Sequence, residues 1–414
     1  MILNNIDPRT CTLCRGRNWC GLAYCPLLAR KLAFLRIKKI TNSLEVYGSS
    51  PPSVFVGRHG YPYVNIGPSA PPETGDTTIF DFPEKWIELR LEDIIDYRLS
   101  LLTGSIRVKA SFVSNPFIQK IHEIALSIKP VDIELYFEKP ITPRIELSEF
   151  EPPQGPRGVL RSFRITSNPV IPRIVDSVYN DKDLSAREAL LLLYKNGIPV
   201  SVIQRILSVG ALGRSRSRKL VPTRWSITAV DSTISEELLE SIRKYSLIDN
   251  FELYVRKYYD NTFIAILAPF KWSFEWMEAW WPGSTWNPSE VNIIVEGDYE
   301  DYFGRSSYPD IGGCYYACRL AVAEFLNNRR KQASVIVFRE IYPGFNIPIG
   351  VWFVRENIRR MFRDKPLLST NDIREVLNTL DEVSELGSRN WINKSRLLRR
   401  ILYQTSLFNF VKGE

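Results

Sequence analysis

Arg214, Arg216, Arg218, Lys219 and Arg224 fall within eleven residues of the stretch LSVGALGRSRSRKLVPTRWSITAVD, and Asp231 is the first acid after them. Guanidinium groups stay charged and pair bidentately with phosphate, so such a run suits a polyanion. Ser215 and Ser217 alternate with the arginines and add small hydroxyl donors. Gly210 and Gly213 precede the charges and let the backbone turn tightly and approach a ligand closely. Pro222 closes the loop, and WSITAV reads as a strand by its β-branched and aromatic content. A solvated basic loop is the plain alternative.

A second chemistry is metal binding. Cys11, Cys14, Cys20 and Cys25 are spaced C-x2-C-x5-C-x4-C, with Gly16 and Gly21 at the turns. Four thiolates this close can wrap one tetrahedral ion, and the metal would supply the folding energy of a segment too short for its own core. Zinc is the expected ion. The short middle gap and Pro26 after the last ligand keep an iron–sulfur cluster as the alternative. Cys314 and Cys318 share one helical turn with no further ligands nearby and read as buried free thiols.

Arg58, His59 and Tyr61 occupy a turn between Gly57 and Gly60, suited to holding phosphate, moving a proton or merely capping the turn. Histidines number only two, His59 and His122, so histidine-based catalysis has little material. At the far end Gln404, Leu407, Phe410 and Val411 follow the spacing Q-x-x-h-x-x-a-a, with valine in place of a second aromatic. One helical turn there would offer a leucine and an aromatic to an apolar pocket, on a partner or on the protein's own body.

The elements that position these groups can be read from periodicity. VDIELYF (131–137) and RGVLRSFRIT (157–166) read as strands, and residues 115–128 as a helix holding His122. Residues 184–210 read as two helices broken at Asn196-Gly197, an outline shared by helix-turn-helix motifs and any helical hairpin. FELYVRKYY and TFIAILA form a hairpin (251–268). Trp272, Trp276 and Trp280 are four apart and predict one helical face, for packing or base stacking. Residues 349–362 read as strand into helix, and 389–403 as a basic helix.

The totals bound the whole. The chain has 414 residues, 44% hydrophobic and 24% charged, which excludes general disorder and allows several cores. A net charge of +8 favours an acidic partner. With no apolar run of membrane length and no signal-peptide core, the expected location is the cytoplasm, in association with the nucleoid.

Taken together, SPPSVFVGRHGYP, LSVGALGRSRSRKLVPTRWSITAVD, GGCYYACRLAV and QASVIVFREIYPGF resemble the archaeal Nre family of DNA repair proteins, over nearly the whole chain. The resemblance implies a role in DNA damage repair and docking on the sliding clamp PCNA through Gln404, Leu407 and Phe410, with Val411 departing from the pattern. It also implies zinc on Cys11, Cys14, Cys20 and Cys25. It transfers no catalytic residue, so enzymatic activity stays open.

The expected fold is a mixed α/β or α+β multi-lobe body with a small N-terminal cysteine-rich metal module and a flexible C-terminal peptide. Its expected parts are a four-cysteine zinc module (1–30), an N-terminal Nre-like domain with the basic loop (31–290), a C-terminal Nre-like domain (291–400) and the clamp-binding tail (401–414). The expected function is a repair factor that binds DNA through the basic surface, with Arg58, His59, Arg214, Arg216, Arg218, Lys219 and Arg224 on phosphate, and that docks on PCNA. The alternatives are an enzyme on a nucleotide or nucleic-acid phosphate, with an Arg/His/Tyr-lined pocket, and a non-catalytic clamp scaffold. A closed concave site would favour the enzyme, a broad face the DNA-binding factor.

Overall fold

A computed structural model describes residues 43–141, 154–284, 286–287, 291–345 and 349–411. Cys11, Cys14, Cys20 and Cys25 lie outside them. Described residues up to Ile234 form one compact unit, and those from Ser235 onward a second.

The first unit is built on a six-stranded sheet of β1 (Glu45–Ser50), β2 (Ser53–Val56), β3 (Tyr63–Ala70), β4 (Leu102–Lys109), β5 (Val131–Phe137) and β6 (Arg157–Ile165), in the order β1-β5-β6-β4-β3-β2. Neighbours are antiparallel except β4 and β6, which run parallel. Alternation decides the faces: Val131, Ile133, Leu135 and Phe137 are buried while Asp132, Glu134 and Tyr136 are only half-buried. The same unit holds α1 (Leu91–Ser100), α2 (Pro116–Leu126), α3 (Arg173–Asn180), α4 (Ala186–Lys195) and α5 (Val200–Ser208). α2 and α5 contact β2, and α2 also β3. Local chemistry sets the ends. The Asn115 side chain accepts from Phe117 N–H and Pro116 opens α2. Ser185 and Glu188 form a capping box on α4, and Gly197, with φ of 76°, lets the chain turn into α5.

α6 (Thr223–Ile242) carries the chain into the second unit. The stretch WSITAV is therefore helical, not a strand. Pro222 starts the helix instead of ending a loop, its carbonyl accepting from Trp225 and Ser226 N–H. Ser226, Val230, Ile234 and Asp231, Ser235, Leu239, Ile242 are buried at helical spacing, and that stripe outweighs β-propensity.

The second unit has its own six-stranded sheet, from β8 (Phe251–Lys257), β9 (Asn261–Ala268), β10 (Ser273–Trp280), β11 (Ile294–Glu300), β13 (Ser334–Ile341) and β14 (Leu368–Thr370), in the order β11-β10-β13-β9-β8-β14. A two-residue pair, β7 (Ser246–Leu247) with β12 (Lys331–Gln332), stands beside it. β10 and β13 run parallel, and β13 lies between β9 and β10. Helices cover both faces. On one, Ile264, Ile266, Met277, Ile336 and Phe338 form a core with Val376 and Leu380 of α9 (Ile373–Val383), Trp391 of α10 (Ser388–Lys394) and Leu397 and Leu398 of α11 (Arg396–Val411). On the other, Phe274 meets Tyr315 of α7 (Gly313–Arg329) at 5.1 Å, and Phe263 meets Phe353 of α8 (Trp352–Met361) at 6.0 Å. Burial on both faces explains why β9 and β13 carry near-continuous apolar runs.

Two further expectations change here. The tryptophan stretch is strand β10, with Trp272 and Trp276 fully buried in packing. Residues 349–362 hold only the helix α8. Separately, α11 extends through Val411 and so includes the first residues of the tail. No helix among the described residues is long and apolar enough to cross a membrane.

Candidate nucleic-acid interface

Three segments far apart in sequence meet in the first unit. Ala110 N–H donates to Pro62 O at 2.7 Å, and Leu220 N–H donates to Ala110 O at 2.8 Å. Val56 N–H donates to the Thr223 hydroxyl at 3.0 Å. These bonds tie the 57–62 turn, the end of β4 and the start of α6 into one patch. On it Tyr61 and Trp225 face each other with ring centroids 5.1 Å apart, and they stay 43% and 46% exposed. Buried rings are the norm, so an exposed pair with polar neighbours is the feature to explain.

The same segments expose cations. Arg224 and Lys219 are exposed on the 209–225 segment, His59 on the turn, and Arg107 and Lys109 on β4. Pairing of β3 with β4 sets Lys109 opposite Tyr63 and Arg107 opposite Asn65. Two glycines make the approach possible. A Cβ on Gly60, at φ of 83°, would lie 2.9 Å from Arg107 Nη2. One on Gly210, at φ of 72°, would strike Lys219 O at 2.7 Å and Val113 Cγ1 at 2.8 Å.

The arginine run itself divides. Arg58, half-buried, belongs to the turn beside Tyr61, and Lys219 and Arg224 are exposed on the 209–225 segment. Arg214 and Arg216 are exposed in a short 3-10 turn anchored elsewhere: Arg214 Nε donates to Asp183 O at 3.3 Å and Ser215 N–H to Lys182 O at 3.0 Å. Arg218 is used by the fold. Its guanidinium donates to Gly213 O (2.7 Å), Tyr179 O (2.8 Å) and Asp181 O (2.9 Å), and lies over the Tyr179 ring. Tyr179 in turn hydrogen-bonds His122 Nδ1, whose Nε2 lies 2.8 Å from Val209 O. Burial pulls the His122 pKa down to about 4, with Arg218 adding to the fall. His122 is thus a neutral brace under the 209–225 segment. Asp231, the first acid after the run, is buried and accepts from Gln204.

Exposed donors strung along a surface suit an extended polyanion better than a small phosphate ligand, which needs convergence in a concave site. Trp225, Arg107, Lys109 and Tyr63 were not singled out by sequence reasoning. Alternation along β4 was the available signal for the two cations.

Other reactive groups serve packing. Arg339 and Glu340, adjacent on β13, point to opposite faces. Arg339 bonds Glu278 (3.0 Å) and Asn261 (2.8 Å), while Glu340 accepts from Ser384 and from Glu385 and Leu386 N–H. Cys314 and Cys318 are free, and burial pushes both thiols above their ordinary range, which makes them poor nucleophiles. Among the described residues no group of three or more His, Cys, Asp or Glu is placed to hold a metal. Gln404, Leu407, Phe410 and Val411 fall in the last turns of α11, and their side chains lie outside the description.

Two family models match the chain: archaeal Nre, N-terminal, over residues 19–287, and archaeal Nre, C-terminal, over residues 300–410. β8, β9 and β10 fall in the first match and β13 and β14 in the second, yet all five lie in one sheet. DNA repair protein NreB of Archaeoglobus fulgidus is 45% identical over 391 residues, covering 94% of this chain and 97% of the relative. DNA repair protein NreA of the same organism is 39% identical over 403 residues, 97% of this chain and 98% of the relative. DNA repair protein NreA of Haloferax volcanii is 33% identical over 385 residues, 91% of each. No solved structure matches the chain. On the two family models and these identities, the chain belongs to the archaeal Nre family.

Proposed function

We propose that the chain is a DNA repair factor that binds nucleic acid through the basic surface of its first unit. The observation that carries this is the exposed Tyr61–Trp225 pair on segments that also expose Arg107, Lys109, Lys219 and Arg224. Phosphate contacts from the cations supply affinity, and the rings give bases a surface to stack on. The names of the relatives, DNA repair proteins, support the same reading. The test is a salt series of DNA binding by wild type and by a Lys219→Ala/Arg224→Ala variant. The slope of log affinity against log salt should flatten by roughly one unit per lost phosphate contact. Identical slopes for the two proteins would remove this surface from the account.

The same reading places zinc on Cys11, Cys14, Cys20 and Cys25, on the chemistry of four thiolates within a short span. Metal analysis decides it, since stoichiometric iron with visible absorption would replace zinc by a cluster. It also places PCNA on Gln404, Leu407, Phe410 and Val411. A helix end supplies the spacing that a groove-binding peptide needs, with the apolar residues three and four apart. Calorimetric titration of PCNA with wild type and with Leu407→Ala/Phe410→Ala tests the tail, and equal affinity would exclude it.

A further inference from the structure

The sheet of the first unit carries its charge on one side only. β6 holds Arg157, Arg161 and Arg164 and its neighbour β4 holds Arg107 and Lys109, and none of β6, β4, β3 and β2 carries an aspartate or glutamate. All five cations are exposed, whereas Leu160, Phe163, Val64, Ile66, Val54 and Val56, which alternate with the outward positions, are buried. Acids return only at the next strands, where Glu134 of β5 stands opposite Arg164 and Glu45 lies on β1. The neighbouring strands β6 and β4 thus present a cationic strip, flanked by the acid-free β3 and β2 on one side and bounded by acids on the other. Like charges so placed repel, and an anion lying across them relieves the repulsion.

Apolar and aromatic groups lie within the strip. Tyr63 is 50% and Val159 58% exposed. Arg157 lies over the Phe55 ring at 4.1 Å. Tyr63 follows Tyr61 by two residues, so the strip runs on into the Tyr61–Trp225 patch. A duplex offers phosphates to cations but keeps its base faces stacked inside. A single strand offers both at once.

We infer that the open face of this sheet binds single-stranded DNA, with bases stacked on Tyr63 and on the Tyr61–Trp225 pair and phosphates on Arg107, Lys109, Arg161 and Arg164. This rests on the nucleic-acid reading above and narrows it to the single strand. Fluorescence anisotropy of the full chain against labelled oligodeoxythymidine, and against a mixed-sequence duplex of equal length, tests it. The single strand should bind about tenfold tighter than the duplex. Tyr63→Ala should lose about tenfold of single-strand affinity while Tyr63→Phe keeps it, since stacking needs the ring and not the hydroxyl. Should Tyr63→Ala fail to melt like wild type, Trp225→Ala carries the same comparison. Equal binding of both forms with Tyr63→Ala unchanged overturns the single-strand inference and leaves DNA binding standing. Tighter binding of oligouridine overturns the choice of DNA. A wild type that binds none of these probes removes the parent reading as well.

Discussion

The two six-stranded sheets spend their charges in opposite ways. The first exposes Arg107, Lys109, Arg161 and Arg164 on a face open to solvent. The second buries several under helices, where Arg339 on β13 pairs with Glu278 and Arg319 of α7 with Glu300. Glu275, on the opposite face of β10 from Glu278, accepts from Ser395 and from Arg396 and Leu397 N–H at the start of α11. Burial raises its pKa although these donors favour the ionised form. Removing ions from water costs several kcal/mol each unless pairing offsets it. The buried charge of the second sheet is therefore consumed by folding, and the exposed charge of the first is available to a partner. Charged residues are abundant in both units, so abundance alone does not locate a site.

The largest effect that could break this contrast is a cut between the two family segments. Residues 291–414 lack β8, β9 and β10, the neighbours on both sides of β13 and the β8 partner of β14. The fragment should show no cooperative thermal transition by circular dichroism, and a folded fragment would mean that the sheet is not the unit of stability. Next, Glu278→Ala strands Arg339 in the interior and should cost about 3–5 kcal/mol in denaturant unfolding. Glu278→Leu with Arg339→Met should recover much of it. No recovery would show that the pair does more than neutralise itself.

His122 sharpens the comparison from the first unit. Its folded pKa of about 4 lies below the ordinary 6.5, so its stability contribution is full above pH 6.5 and lost as pH falls toward 4, where the unfolded chain takes up the proton. The loss should reach up to about 3 kcal/mol, from 1.36 kcal/mol per pK unit. Stability measured from pH 7 to pH 4 should fall less steeply for His122→Asn than for wild type. Parallel curves would exclude the brace. The smallest expected change in stability is at the surface. Lys219→Ala/Arg224→Ala should unfold within about 0.5 kcal/mol of wild type while its DNA binding weakens. A large stability loss there would return those cations to the fold.

Strict alternation made VDIELYF legible, and its burial alternates as the pattern requires. The helix pair at 186–208 and the hairpin at 251–268 were equally readable, the first from the break at Asn196-Gly197 and the second from its two apolar runs. The tryptophan stretch was not. Residues four apart share a face in a strand as well as on a helix, so Trp272, Trp276 and Trp280 carry no vote between the two. WSITAV failed because propensity was weighed before the buried stripe that continues to Ile242 was followed. Half of the candidate site was named from its arginines. The other half needed the pairing of β3 with β4, which brings Tyr63 to Lys109 across a gap that no local pattern spans.

The position of β13 bears on how the protein is made. β9 and β10 follow each other in the chain but do not pair, because β13 separates them. During synthesis both strands leave the ribosome with one edge unsatisfied, and they wait until Ser334–Ile341 emerges. At roughly 5–20 residues per second that wait lasts several seconds. Two apolar strands with open edges are templates for pairing with other chains. The parallel contact of β10 with β13 is also slow to form, because a long loop must close first. The nascent second unit is thus the stage of this protein's life most exposed to misassembly, and the one at which a chaperone would have the most to protect.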